Sequence, residues 1–338
     1  QEDVFRVGEE VLTATFKKFA PEGYEITEAP FPVFSYRQAM LEFGTDKPDL
    51  RNPLCIIDVT DFFQKCSFKP FHHKTVRAIR VHAEMSRSFH EKLLEYALSI
   101  GMGGLGYLEV QEDMTYKGPI DKYIPEEMKG GLARIAGLIP GDVIFFIADK
   151  EKLACKYAGL IRNELGKRLD LCEKKAYRFC YVNDFPMYEI DEETGRIQFT
   201  HNPFSMPQGG LEALNTKDPL DILAYQYDIV CNGVELSSGA VRNHDMDIMV
   251  RAFEIAGYDE ETLKKKFGAL YNAFQYGAPP HAGMAPGVER MIMLLRNEEN
   301  IREVIAFPMC GNAQDLMCGA PSEVTEQQLR EVHIKIRN

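Results

Sequence analysis

Apolar side chains recur at helical spacing at the start of the chain. They predict an amphipathic helix over Glu2–Phe19 and a second helix over residues 35–43, with Ser35 as its N-cap. A glycine and a proline then predict a polar loop over residues 44–51, because both interrupt helices. An apolar run over residues 55–59 predicts a short buried strand.

A new alternation of strand and helix patterns begins near residue 72. Its apolar runs predict strands over residues 76–81, 105–110 and 143–147 and helices over residues 88–99, 125–135 and 150–168, the last capped by Asp149. Because this run can bury a core of its own, we predict an inserted domain over residues 72–173. Residues 1–71 and 174–338 are then the two parts of one flanking domain.

From residue 179 onward the pattern favours antiparallel strands. Residues 179–190 and 196–200 flank a polar loop of hairpin type. Residues 220–230 lead to Asn232-Gly233, the dipeptide most typical of a two-residue hairpin turn. We therefore expect a hairpin centred on this turn.

A type I′ turn there would bring two carboxylates to one face. In that register Val230 opposes Glu235. Asp228 then opposes Ser237 and is a diagonal neighbour of Glu235, with Cα atoms about 7–8 Å apart. Two such carboxylates repel each other, and hard oxygen ligands from two strands suit Mg²⁺ that carries substrate phosphates. The alternative is that each carboxylate pairs separately with a lysine or an arginine.

Arg242 lies further along the second strand of this hairpin, on the opposite parity from Glu235. It joins the same face only if residues 237–239 form a β-bulge, which Gly239 permits. A planar, always-charged guanidinium suits the recognition of an acidic substrate.

Residues 277–296 combine a Pro/Gly-rich approach with a short apolar helix. One face carries Val288, Met291, Ile292 and Leu295, whereas Arg290 lies in the first turn. A cation there is unfavourable by roughly 0.3–1 kcal/mol, because the helix dipole is positive at its N-terminus. Free N–H groups, small residues and a guanidinium suit a nucleotide; the plainer interpretation is a buried helix whose arginine pairs with a carboxylate.

Composition narrows the class of protein. With 338 residues, 45% hydrophobic and 27% charged, the sequence is typical of a globular protein of about two domains. Its net charge of -12 argues against a large non-specific nucleic-acid surface. No run approaches the roughly 20 apolar residues of a membrane span. The eight cysteines include no C-x-x-C pair, which favours reduced thiols in the cytoplasm.

Three motifs together carry a specific resemblance. Residues 283–290, GMAPGVER, resemble the third signature motif of class II aminoacyl-tRNA synthetases. Residues 227–236, YDIVCNGVEL, and 46–51, DKPDLR, narrow the resemblance to the bacterial-type aspartyl-tRNA synthetases. Residues 103–107 and 117–120 resemble the additional insert of that family, the GAD domain. The resemblance covers essentially the whole chain. It implies an α+β fold, with the class II antiparallel sheet flanked by helices and an inserted α+β GAD domain.

The resemblance also implies roles for individual residues. L-aspartate would be bound by His201 and Arg242, and the Mg²⁺ that accompanies ATP by Asp228 and Glu235. ATP would contact Glu235, Gly287, Val288, Glu289 and Arg290. The catalytic residues would be Glu235 and Arg290, the latter at the γ-phosphate. The implied enzyme activates aspartate with ATP and transfers it to the 3′ end of tRNA(Asp), with tRNA(Asn) left open. It would be cytoplasmic, and a homodimer at full length.

Two positions depart from the family pattern. Many relatives have histidine where this chain has Asn202 and aspartate where it has Glu289. The chain starts at Gln1 inside a helix pattern, so we expect it to be the later part of a longer polypeptide. In the family, the anticodon-binding domain and the first two motifs precede that position. We therefore expect the isolated chain to be inactive.

Two other classes of protein are alternatives to the ligase. A non-ligating amide synthetase on the same fold would keep the nucleotide-binding features but would not need the inserted domain. A non-catalytic binding protein would need neither Arg242 nor the pair of Asp228 and Glu235.

Overall fold

The computed structural model describes residues 1–337 of the 338-residue chain and has an α+β architecture. The predicted fold class is therefore confirmed. The chain divides into two compact units. One comprises Gln1–Lys18 and Glu22–Pro286, and the other comprises Phe19–Pro21 and Gly287–Asn338, of which Asn338 lies outside the described residues.

Helices and strands are distributed along both parts of the sequence. The α-helices are α1 (Glu2–Phe19), α2 (Tyr36–Phe43), α3 (Thr60–Gln64), α4 (Arg87–Ser99), α5 (Glu126–Ala136), α6 (Glu151–Arg168), α7 (Gly210–Thr216), α8 (Met246–Ile255), α9 (Glu260–Phe274), α10 (Val288–Leu295) and α11 (Glu326–Glu331). The strands are β1 (Glu25–Ile26), β2 (Val33–Ser35), β3 (Ile56–Asp58), β4 (Thr75–His82), β5 (Gly106–Val110), β6 (Tyr116–Lys117), β7 (Asp142–Asp149), β8 (Ala176–Tyr177), β9 (Phe179–Asn183), β10 (Tyr188–Ile190), β11 (Ile197–Phe199), β12 (Gln226–Cys231), β13 (Val234–Val241) and β14 (Ala282–Pro286).

The first sheet has the strand order β14–β13–β12–β9–β2. Strand β2 is parallel to β9, and the other neighbours are antiparallel. Helix α1 covers one face, where Phe5 stacks on Tyr181 with ring centroids 3.8 Å apart. Helix α2 packs on the opposite face through a cluster that includes Phe43, Val182 and Val230. These two layers hold β12 and β13, the strands of the predicted hairpin, in place.

The second sheet has the strand order β3–β4–β7–β5–β6 and is antiparallel throughout. Its faces are covered by two separate apolar clusters. Phe146 of β7 lies in the cluster that includes residues of α3 and α5, whereas Phe145 lies in the cluster of α4 and α6. Burial on both faces explains why this strand is a continuous apolar run over residues 143–147 in the sequence.

The second sheet begins earlier in the chain than the predicted insert. Strand β3, Ile56–Asp58, pairs with β4 and precedes the boundary placed at residue 72. Residues 22–286 also lie within one compact unit. The division into residues 1–71, 72–173 and 174–338 therefore stays a prediction.

Three local predictions of elements were wrong. The strand predicted over residues 179–190 is divided into β9 and β10, and only β10 pairs with β11 in the predicted hairpin. The N-cap of α6 is Lys150, and Asp149 instead accepts a hydrogen bond from the Lys150 N–H (2.7 Å). The strand predicted over residues 220–230 begins only at Gln226, because Pro219–Asp221 forms a 3₁₀ turn. Asp218 stabilises that turn by accepting a hydrogen bond from the Leu220 N–H (2.9 Å).

The second unit contains α10 and α11, with Met293 and Leu329 buried. A reciprocal pair of side chains, Thr325 and Gln328, caps α11. Among residues 1–337, none of the helices combines the length and the apolar character that crossing a membrane requires.

Candidate functional site

Strands β12 and β13 form the hairpin that Asn232-Gly233 predicts. Both turn residues have positive φ, 52° and 81°, as a type I′ turn requires. The Asn232 side chain fixes the turn: it accepts a hydrogen bond from the Arg178 N–H (2.9 Å) and donates one to the Ala176 carbonyl (2.9 Å). The pairing of Val230 with Glu235 is confirmed.

The strand register shifts by one residue immediately beyond this pair. Ile229 opposes Ser237 and Asp228 opposes Ser238, so Leu236 is the extra residue of a β-bulge. The predicted pairing of Asp228 with Ser237 was therefore wrong. We expected the bulge at residues 237–239. It lies one residue earlier, since the unpaired residue is the buried Leu236.

The bulge decides which side chains of β13 share a face with Asp228. Ser238 is directly opposite Asp228, and alternation places Arg242, four residues later, on the same side. Glu235 is on that side as well, because its partner Val230 has the same parity on β12 as Asp228. The bulge thus puts Arg242 on the face of the two carboxylates.

Asp228 is a buried carboxylate whose charge is only partly compensated. It is 4% exposed, and its Oδ1 has no hydrogen-bond partner among residues 1–337. Burial, followed by the negative charge of Glu235, raises the pKa of Asp228 to about 6. The Ser238 hydroxyl and the Lys47 ammonium offset only part of that increase. A cation at this carboxylate would remove the penalty.

Lys47 is the residue of this site that sequence reasoning missed. Its Nζ lies 2.5 Å from Asp46 Oδ2 and 3.4 Å from Glu235 Oε2. Burial lowers the pKa of Lys47, but the hydrogen bond and charge of Asp46, with the charges of Asp228 and Glu235, leave it raised. The available signal was a lysine in the charge-dense loop over residues 44–51; no local pattern places that loop at the hairpin.

These side chains border an open cleft of about 630 Å³. It is lined by Lys47, His201, Asn202, Pro203, Phe204, Gln226, Asp228, Glu235 and Ser238. His201 packs edge-on against Phe185 with ring centroids 5.0 Å apart. Burial, opposed by the charge of Asp46, lowers the pKa of His201, so its imidazole is neutral at pH 7. The cleft therefore unites three of the predicted site residues.

Arg242 lies just beyond β13 and is not one of the residues that line this cleft. Its N–H donates to the His281 carbonyl (2.9 Å), and it forms a β-bridge with Ser205. Among residues 1–337, its guanidinium has no carboxylate partner. The cation is therefore available to an anionic ligand.

Helix α10 belongs to the other compact unit. It begins at Val288 with Gly287 as its N-cap, and Arg290 lies in its first turn, as predicted, together with Glu289. Val288, on the predicted apolar face, is 57% exposed, whereas Met293 is buried. The uncapped N–H groups of the first turn suit an anion. The assignment of residues 287–290 to ATP stays a prediction.

The donors of the cleft fit a hard divalent cation. Asp228 and Glu235 offer carboxylate oxygens from adjacent strands, and Asp228 Oδ1 is buried without a partner. Within residues 1–337, no group of three or more His, Cys, Asp or Glu side chains could hold a metal ion. Mg²⁺ is commonly bound by one or two carboxylates while substrate phosphates and water complete its coordination. Two carboxylates therefore suffice.

Comparisons with known proteins identify the family of the chain. A family model described as tRNA synthetases class II (D, K and N) matches residues 1–311. An aspartate–tRNA ligase of Streptomyces coelicolor is 53% identical over 100% of this chain and 57% of that protein. An aspartate–tRNA(Asp/Asn) ligase of Gluconobacter oxydans is 52% identical over 99% of this chain and 57% of that protein. The chain thus spans little more than half the length of these relatives.

A solved aspartyl-tRNA synthetase from Entamoeba histolytica matches 93% of this chain and 57% of that protein, with 18% identity and a TM-score of 0.32. A TM-score this low does not support a conclusion about fold or function. The family model and the curated relatives are sufficient, since they cover most or all of the chain. They confirm the resemblance to bacterial-type aspartyl-tRNA synthetases that the three motifs indicated. The chain therefore belongs to the tRNA synthetases of class II (D, K and N).

Proposed function

We propose that this chain provides the part of an aspartate–tRNA ligase that binds L-aspartate and metal-bound ATP. The observation that carries the proposal is the β-bulge at Leu236, which puts Arg242 on the face of Asp228 and Glu235. That face then offers a cation for an acidic substrate and a carboxylate pair for a metal ion. The activity of the whole protein belongs to the proposal, because the chain spans 57% of its relatives' length.

Arg242 binds the side-chain carboxylate of L-aspartate. Its guanidinium can donate two parallel hydrogen bonds to a carboxylate, and it stays charged at every physiological pH. An uncharged analogue such as asparagine cannot neutralise it, so the site rejects that analogue. His201, neutral at pH 7, contacts the same substrate from the lining of the cleft.

Asp228 and Glu235 hold the Mg²⁺ that accompanies ATP. When bound, Mg²⁺ neutralises phosphate charge and fixes the orientation of the triphosphate. On the family resemblance we also assign Gly287, Val288, Glu289 and Arg290 to ATP, which the uncapped N–H groups in the first turn of α10 support. We assign Arg290 to the γ-phosphate. Glu235 and Arg290 are the catalytic residues in this scheme.

The reaction needs no side-chain nucleophile. The α-carboxylate of aspartate attacks the α-phosphorus of ATP, the bond to pyrophosphate breaks, and aspartyl-adenylate forms. Arg242 holds the amino acid in line, and Arg290 neutralises the charge of the departing pyrophosphate. The carboxylate of aspartate can therefore approach the negatively charged triphosphate. A hydroxyl of the terminal ribose of tRNA then attacks the activated carbonyl, and AMP leaves.

The curated relatives have two tRNA ranges in their names. The Streptomyces coelicolor protein is an aspartate–tRNA ligase, and the Gluconobacter oxydans protein is an aspartate–tRNA(Asp/Asn) ligase. We propose tRNA(Asp) as the substrate and tRNA(Asn) as a second candidate. Charging each purified tRNA with labelled aspartate distinguishes them. At the length of its relatives we expect the protein to be a cytoplasmic homodimer.

Aspartate-dependent exchange of pyrophosphate into ATP tests the proposal. The assay compares this chain with the protein at the full length of its relatives. We expect exchange by the full-length protein and almost none by the chain alone, because the chain spans only 57% of the length of its relatives. No exchange by the full-length protein would refute the ligase. Robust exchange by the chain alone would refute only the expectation for the chain.

The products separate the ligase from the two other classes. An amide synthetase would release asparagine from aspartate and ammonia without tRNA. A binding protein would retain aspartate or ATP and release neither pyrophosphate nor AMP. Labelled asparagine that is stable to acid would therefore favour the amide synthetase. Binding of aspartate or ATP without release of pyrophosphate would favour the binding protein. The ligase predicts labelled aspartate esterified to tRNA, which mild alkali removes.

A further inference from the structure

A fully buried arginine of α6 holds the loop that precedes β3. Arg162 is 0% exposed. Its Nη2 donates to the carbonyls of Asp49 (3.0 Å) and Asn52 (2.7 Å), and its Nε donates to that of Leu54 (2.5 Å). The Asn52 side chain returns a hydrogen bond to the Arg162 carbonyl (3.0 Å). Among residues 1–337, no carboxylate forms an ion pair with Arg162, so its charge serves the loop backbone.

Helix α6 and the loop before β3 pack too closely for either to shift without a steric clash. A Cβ atom added at Gly166 would lie 2.5 Å from the Asn52 side chain, and one at Gly159 would lie 2.7 Å from the Gly44 carbonyl. Burying a guanidinium is expensive unless its donors are satisfied. Arg162 therefore keeps its position only while these carbonyls keep theirs.

The loop held by Arg162 also carries Lys47. Asp49 and Arg51 brace the loop internally, with Arg51 Nη2 2.8 Å from Asp49 Oδ2. On its other side the loop meets the hairpin turn, where a Cβ at Gly233 would lie 3.4 Å from Asp49 Cβ. The backbone on both sides of Pro48 is thus fixed, and Lys47 Nζ reaches to 3.4 Å from Glu235.

We propose that Arg162 is a positioning residue for the cleft and acts through Lys47. It fixes the loop backbone, the loop fixes the Lys47 ammonium, and that ammonium orients Glu235 for metal-bound ATP. Helix α6 thereby contributes to ATP binding without touching the substrate. The inference rests on the proposed function, because only that proposal assigns Glu235 to metal-bound ATP.

Hydrogen–deuterium exchange of the chain itself tests the first link. Arg162→Lys keeps the charge but loses the forked donor group. We expect the amides of residues 47–54 to exchange about tenfold faster, while those of β7 keep the wild-type rate. Arg168→Lys on the same helix is the matched control, since Arg168 pairs with Glu164 (2.6 Å) and its guanidinium lies over the ring of Tyr96 on α4 (5.9 Å). Unchanged exchange of residues 47–54 in Arg162→Lys would overturn the inference.

A double-mutant cycle in the full-length protein tests the second link. We expect Arg162→Lys to raise the KM for MgATP about fivefold with kcat changed less than about twofold. Lys47→Met should do the same, and the double variant should resemble Lys47→Met, because both changes remove one contact. Arg168→Lys should leave both constants unchanged.

Additive effects of the two substitutions would show that Arg162 does not act through Lys47. A fall in kcat alone, accompanied by faster exchange throughout the chain, would show a merely structural role. A wild-type protein without aspartate-dependent exchange would refute the ligase and, with it, the link to MgATP. The hydrogen-exchange result would still decide by itself whether Arg162 fixes the loop.

Discussion

The two five-stranded sheets differ in how completely they are buried. In the second sheet, Phe145 and Phe146 point to opposite faces, and both are 1% exposed within apolar clusters. In the first sheet, α1 covers one face, but on the other face the apolar cluster ends at Val230. The next side chain of β12 on that face is the buried carboxylate of Asp228.

This difference separates a region built for stability from one built for binding. A sheet that buries apolar groups on both faces gains the full hydrophobic contribution of its strands. The first sheet instead keeps a desolvated carboxylate whose pKa is raised to about 6, which costs stability until a cation binds. Substitutions in the two sheets should therefore affect different measurements.

The largest effect on stability is expected in the second sheet. Phe146→Ala removes a ring that packs edge-on against Phe63 with centroids 5.1 Å apart, and it should lower the free energy of unfolding by about 3–5 kcal/mol. Denaturant titration measures the loss. Ile135→Ala, at a side chain that is 49% exposed, should change it by less than about 0.5 kcal/mol. Equal effects at the two positions would contradict the closed packing of this sheet.

In the first sheet the largest effect should be on activity. Arg242→Ala in the full-length protein should lower kcat/KM for aspartate by roughly 100-fold, about 3 kcal/mol, because the substrate carboxylate loses its charged donor. Pyrophosphate exchange measures it. Arg242→Lys should recover only part of the loss.

Arg251→Ala is the control for this substitution, since Arg251 pairs with Glu254 (3.2 Å) on the exposed side of α8. Its exchange rate and its melting temperature should remain close to the wild-type values. Normal aspartate activation by Arg242→Ala would remove Arg242 from the site.

Asp228 should make the chain less stable as pH rises from about 4 to about 6. The pKa of this carboxyl is 3.8 without the folded environment and about 6 within it. The folded state therefore binds more protons in this range, and stability falls as pH rises. The difference corresponds to about 3 kcal/mol at most. Asp228→Asn should consequently be more stable than the wild type at pH 7.5.

Thermal unfolding between pH 4 and pH 8 measures this effect. Relative to the wild type, Asp228→Asn should become progressively more stable as pH rises over this range, whereas Glu10→Gln, at an exposed carboxylate on α1, should differ from the wild type by a constant amount. In the wild type, Mg²⁺ with a non-hydrolysable ATP analogue should restore part of the lost stability. A stability difference between Asp228→Asn and the wild type that stays constant from pH 4 to pH 8 would show that burial does not destabilise the Asp228 carboxylate.

The smallest effect should be the same in both sheets. Ser35 caps α2 on the first sheet by accepting from the Gln38 N–H (3.1 Å), and Ser86 caps α4 on the second by accepting from the Phe89 N–H (3.2 Å). Either serine changed to alanine should cost about 1 kcal/mol, because capping is local to a helix end. Chemical denaturation of the two variants tests it, and a clear inequality would mean that the sheets influence their caps.

The elements themselves could be predicted because their causes are local. Apolar periodicity predicted the helix Glu2–Phe19 to the residue, and Asn232-Gly233 predicted the hairpin because its conformation needs two residues that accept positive φ. The Pro/Gly-rich approach and the apolar spacing after it likewise predicted a short helix with Arg290 in its first turn, which is α10. Each of these signals lies within a few consecutive residues.

The face on which each side chain of β13 lies could not be predicted in this way. A shift of one residue reverses the two faces of a strand, and the extra residue at Leu236 depends on how β13 packs between β12 and β14. At Gly239, a Cβ would come within 2.4 Å of the Gly283 carbonyl of β14. The position of Arg242 therefore follows from three strands, not one.

Residue types and local backbone preferences are thus sufficient to name Asp228, Glu235 and Arg242 as candidates and to place them on elements, whereas His201 was named through the family resemblance. Two contacts depend instead on packing between segments far apart in the chain. Lys47 lies close to Glu235, and Arg162 donates hydrogen bonds to the loop that carries Lys47. Such contacts cannot be predicted from a few consecutive residues, because they form and contribute to stability only when both sheets and α6 pack together.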